Sequence, residues 1–193
     1  MTAQLHDQFI VEGESYSIAG VSGYGLFDPE THGLHPVSWN TACWRGYVTT
    51  YALQEKYLVI RELELNLSPP HHDGSDPVTA PPLYGVKARH SPEPFGFEYV
   101  YEDVGMPLAY TGGLLLARGF IDDLHLHMGF HPAWKYRKVM ELIFEEGRII
   151  ETHDVSRRIA RLRKTMISAP ASPHQEQAVL DWIESTFQLD YAW

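Results

Sequence analysis

The sequence predicts a mainly β fold of the α+β type: a curved antiparallel sheet, sandwich or barrel-like, with two C-terminal helices packed on it. Three observations carry this reading. Runs with every second residue apolar fill the first two-thirds of the chain, turn-type residues separate them at short intervals, and helical spacing sets in only after residue 153. The expected organisation is one domain over residues 1–193, with a β-rich core over 1–153 and two helices over 154–193.

The elements follow in order. Gly20, Gly23 and Gly25 succeed a β-like run and read as a permissive loop, since no helix start or Lys-Ser/Thr pair makes them a phosphate cradle. Residues 44–53 and 57–67 flank Gln54, Glu55 and Lys56, which predicts a hairpin. Leu63, Leu65 and Leu67 alternate there with Glu62, Glu64 and Asn66, the period of a half-buried strand. Residues 68–82 hold five prolines and read as an exposed loop. Phe95, Phe97, Tyr99 and Tyr101 recur every second residue and place aromatics on one sheet face. Residues 108–120 are apolar, and Gly112-Gly113 predicts a bulge or bend within them. Residues 137–144 and 148–152, joined by Glu145-Glu146-Gly147, form a second hairpin.

Val155, Ile159, Leu162 and Met166 fall at helical spacing, with Asp154 or Ser156 as the N-cap. A second helix is expected from the cap Ser172, Pro173 at its first position and the stripe Val179, Trp182, Ile183 and Phe187.

Composition narrows the function classes. At 193 residues the chain can bury roughly 70% of its unfolded surface, so it needs no disulfide or metal to fold. With 25 acidic and 15 Lys or Arg side chains, its net charge of −10 argues against general nucleic-acid binding. Residues 1–133 hold 16 acidic and 6 basic side chains, whereas 134–193 hold 9 of each, so the negative field belongs to the β-rich part. The lone Cys43 excludes an intramolecular disulfide, and no run approaches the ~20 apolar residues of a membrane helix. A cytoplasmic protein without a leader segment is the expectation.

The strongest cluster for chemistry is His125, His127 and His131. On a strand, His125 and His127 would share a face, and His131 could join them if the chain turned at Gly129. Three imidazoles suit zinc or iron with an open position for water. Gly119, His125, His127 and His131 partly resemble the first cupin motif in spacing. His131 stands where that family carries glutamate, Lys138 where it carries glycine, and no second motif follows, so no family is assigned. The alternative reading leaves the histidines on the polar face of a strand, with Leu124, Leu126 and Met128 in the core. His71, His72 and Asp73 in the proline-rich loop, and His153, are secondary ligand candidates. Cys43 reads as a buried, inert thiol, because nothing in its sequence neighbourhood lowers its pKa.

These features give three functional expectations. The first is an acidic binding protein, of the immunity or inhibitor type, that engages a basic protein partner. Tyr99 and Tyr101 would be its aromatic anchors, and Arg157, Arg158 and Arg161 its charged helix face. The second is a metal-dependent enzyme or metal-binding protein built on His125, His127 and His131. The third is a carrier of a small apolar ligand within an aromatic-lined sheet.

Overall fold

Alternating apolar residues and two-residue turns generate most of the sheet, as a computed structural model of residues 2–68, 79–91, 96–168 and 189–191 shows. Strand β1 (Gln8–Val11) turns into β2 (Glu14–Tyr24) through Glu12 and Gly13, both at positive φ, the backbone that a tight hairpin requires. The expected hairpin is formed by β3 (Tyr47–Gln54) and β4 (Tyr57–Leu65), with Glu55 at φ 59° in place of a glycine. Short strands β5 (Arg89–His90), β6 (Tyr99–Tyr101) and β7 (Met106–Pro107) follow, then β8 (Thr111–Phe120). The second expected hairpin is β9 (Tyr136–Glu145) and β10 (Arg148–Asp154), turning at Glu146 and Gly147, again both at positive φ.

The strands lie in the order β10-β9-β8-β2-β1-β3-β4-β6-β5, with β7 also on β4. The sheet is mixed rather than wholly antiparallel, because β1 and β3 run parallel with Phe9 opposite Tyr51. Strand β2 carries the chain back antiparallel to β1, and the segment over 25–46 then passes β1 to lay β3 on its other edge. Arg148 at the start of β10 also pairs with Tyr57 at the start of β4, joining two distant points of the strand path. Register shifts fall between Ile18 and Gly20, Thr50 and Tyr51, and Ile149 and Glu151. Each inserts an unmatched residue and bends the sheet.

Two expectations are corrected here. The pairing of β8 runs unbroken through Gly112 and Gly113, and the bulge lies opposite, at Ala19 of β2. The glycine-rich stretch after Gly20 is strand up to Tyr24, with Gly23 facing Gly112. The two backbones approach so closely that a Cβ on Gly112 would fall on the Ser22 carbonyl oxygen. The glycines therefore serve strand contact rather than a loop.

Phe9, Tyr51, Tyr101, Tyr110, Leu114 and Phe144 are fully buried in the main core. On the opposite face of β8 and β9, Leu115, Ala117 and Val139 pack with Val155 and Ile159 in a second cluster. Burial on both faces explains why β8 reads as a continuous apolar run instead of alternating. The covering helix is α1 (Ser156–Ser168), whose first turn is capped by the Asp154 carboxylate accepting the Ser156 N–H at 2.9 Å. The expected second helix and the His71-His72-Asp73 triplet lie outside the described residues. Among the described residues no helix is long and apolar enough to cross a membrane.

Leu189 and Tyr191 bracket β2: the Val21 N–H donates to Leu189 O at 2.7 Å, and the Tyr191 N–H donates to Val21 O at 3.1 Å. The Tyr191 hydroxyl donates to Glu141 Oε1 at 3.0 Å, and its ring occupies space left open by Gly20 and Gly113.

Candidate functional site

The histidine cluster sits in the connection from β8 to β9, which is a loop and not the strand that alternation predicted. The two neighbouring strands are paired to each other, and this stretch finds its backbone partners in local turns and in the N-terminal segment, where the Gln4 N–H donates to Gly129 O at 2.8 Å. A 3₁₀ turn at Asp122–Leu124 places the His125 N–H on Asp122 O at 3.0 Å, and a second turn at Ala133–Lys135 leads into β9. The Ile121 N–H donates to Lys135 O at 3.0 Å and closes the base of the loop. Leu126, expected in the core, is exposed, while Met128 and Phe130 are buried.

The loop nevertheless gathers the predicted residues. The His125 ring lies 4.4 Å from that of His127 and 5.1 Å from that of His131, centroid to centroid. His125 and His127 are exposed, and His131 is buried against Phe120 at 4.7 Å. Among the described residues, no group of three or more His, Cys, Asp or Glu side chains is arranged to hold an ion. His153, the other described ligand candidate, is exposed and bonded to Glu151 at 2.7 Å.

Two residues that sequence reasoning missed complete the cluster. His6, buried beneath the loop, donates from Nδ1 to Ile18 O at 2.8 Å and accepts the His131 N–H at Nε2, at 3.0 Å. Both of its nitrogens are engaged, so the ring is held neutral and acts as a support for His131. Lys135 is buried with Nζ 3.3 Å from His131 Nδ1 and 5.5 Å from the centre of the Trp134 ring. With the lysine donating, Nδ1 accepts and the His131 proton sits on Nε2. Burial, reinforced by the charge of Lys135 and by the other histidines, pushes the His131 pKa down to about 4. Burial also lowers those of His6 and Lys135. The helical spacing of His131 and Lys135 and the early position of His6 gave no signal of this convergence.

Cys43 is buried, its Sγ donates to Tyr47 O at 3.3 Å, and burial pushes its pKa up. Nearby, the buried Asp7 carboxylate receives both arms of the Arg45 guanidinium at 2.9 Å and the Thr49 N–H at 2.9 Å. That fork lies over the Tyr47 ring, 4.8 Å from its centre.

The expected partner-binding residues separate. Tyr99 and Tyr101 point into the core and present no aromatic surface, because β6 turns that face inward against β4. Arg157, Arg158 and Arg161 are exposed on α1, whereas Arg163 turns inward and donates to the carbonyl oxygens of Trp134 and Tyr136. What the outer face of β4 and β6 does present is a cleft of about 280 Å³ lined by Glu62, Glu64, Arg89, Phe97, Val100 and Glu102. Arg89 is paired with Glu102 at 2.9 Å. Burial, aided by the neighbouring charge of Glu62, raises the pKa of Glu64. The alternation of Leu63 and Leu65 with Glu62 and Glu64 was the sequence signal for this acidic face. No family model, curated protein or solved structure matches the chain, so its chemistry is argued from these residues alone.

Proposed function

We propose that the protein is a binding protein, of the inhibitor or immunity type, whose acidic cleft on the outer face of β4 and β6 receives a cationic side chain of a basic partner. The observation that carries this reading is the like-charged pair Glu62 and Glu64 in a cleft with Phe97. Among the described residues neither glutamate has an ion-pair partner, and burial, together with repulsion from Glu62, disfavours the charged form of Glu64. An incoming ammonium or guanidinium removes that repulsion and can rest its apolar stem on the Phe97 ring. The net negative charge of residues 1–133 adds long-range attraction for the same partner.

The test is calorimetric titration with a hexalysine peptide at low and high salt. Saturable binding that weakens with salt is expected, and the double substitution Glu62→Gln, Glu64→Gln should weaken it about tenfold. Binding that is unchanged in the double variant would place the contact elsewhere and end this reading.

A further inference from the structure

One buried cation stands apart from the ion pairs of this acidic protein. Lys135 is only 5% exposed, yet among the described residues no carboxylate lies within ion-pair distance of its Nζ. Its polar neighbour is an imidazole nitrogen, His131 Nδ1, at 3.3 Å. Burial disfavours an ammonium that has no counter-ion. The fold fixes it there all the same, since Lys135 donates its N–H to Pro132 O and accepts the Ile121 N–H, both at 3.0 Å. His6 fixes the other half by receiving the His131 N–H. From this buried pair, the exposed rings of His125 and His127 lead outward. The chain carries 25 Asp and Glu side chains, and among the described residues none forms an ion pair with this cluster.

We infer that the side-chain cluster of His125, His127, His131 and Lys135 binds a phosphate-type oxyanion. The chemistry of the donor set selects this class. Lys135 supplies a point charge, His131 offers Nε2–H once its Nδ1 faces the lysine, and the two outer imidazoles offer further N–H donors. A tetrahedral anion can accept from several donors at once, whereas a carboxylate presents only two oxygens. Free phosphate and a phosphomonoester on a larger molecule share this chemistry.

The test uses the full chain without a histidine tag, at pH 6.5 and constant ionic strength. Inorganic phosphate is titrated in one arm and phosphoserine in the other, with the histidine ring NMR signals as readout. Expected is saturable movement of the His125, His127 and His131 signals together, with a Kd below about 10 mM in at least one arm. Tighter binding of phosphoserine identifies an esterified ligand, and tighter binding of phosphate a free one. The double substitution His125→Gln, His127→Gln changes only exposed loop residues and should weaken binding about tenfold, while Lys135→Met should abolish it. Linear, unsaturated shifts in both arms overturn the inference, as does a double variant that is folded and binds like the parent protein.

Discussion

His6 accepts the backbone N–H of His131 at 3.0 Å, joining the start of the chain to a loop 125 residues away. Its other nitrogen donates to Ile18 O at 2.8 Å, so one buried ring ties β2 and the segment before β1 to the loop between β8 and β9. Replacing it leaves two buried backbone groups without partners as well as a cavity. His6→Ala should therefore cost about 2–4 kcal/mol, read from urea unfolding midpoints. A loss below about 0.5 kcal/mol, the scatter of surface substitutions, would show that the bridge contributes little.

Acid should destabilise the protein before its carboxylates titrate. His6 and His131 both have lowered pKa values in the folded state, to about 4 for His131, against 6.5 when unfolded. Between those values the unfolded chain binds more protons, so stability rises with pH through the window and is lost as pH falls from 6.5 towards 4. Each histidine can contribute a slope of at most ~1.4 kcal/mol per pH unit. Urea midpoints measured at several pH values across this window should decline on acidification, and His131→Gln should flatten the decline. A flat profile in the parent protein contradicts the burial of both rings.

The Asp7–Arg45 fork predicts an asymmetric response to truncation. Asp7 is buried and Arg45 keeps 30% of its side chain exposed, so the carboxylate is the member that depends on its partner. Asp7→Ala also removes the acceptor for the Thr49 N–H and should cost about 3 kcal/mol, at the lower end for buried pairs because water reaches the guanidinium. Asp7→Asn keeps an acceptor and should cost less. Equal losses in the two variants would mean that the charge carries the whole effect and that the acceptor for the Thr49 N–H contributes nothing.

Cys43 should behave as a core residue towards thiol reagents. It is 3% exposed, its thiol pKa is raised by burial, and its sulfur is engaged with Tyr47 O. Reaction with a disulfide reagent should proceed at the rate of unfolding and become immediate in urea. Rapid modification of the native protein is the result that would refute this placement.

Local pattern determined much of the architecture. The alternation of Leu63 and Leu65 with Glu62 and Glu64 specified strand β4 and its acidic outer face, and Glu146-Gly147 specified the turn between β9 and β10. Of the expected apolar stripe, Val155 and Ile159 are buried at the start of α1, whereas Leu162 is exposed. These features are readable because side-chain period and turn backbone depend on residues within a few positions of one another.

The tertiary structure decided which residues meet. Tyr99 and Tyr101 share a face, as their spacing requires, but only the pairing of β6 with β4 turns that face into the core. His125, His127 and His131 were legible as a group, yet they converge on a loop because β8 and β9 pair with each other and leave no strand edge for that segment. The contributions of His6 and Lys135 had no local signature. Their roles come from strand order and burial, which bring chemically complementary groups together irrespective of their distance along the chain.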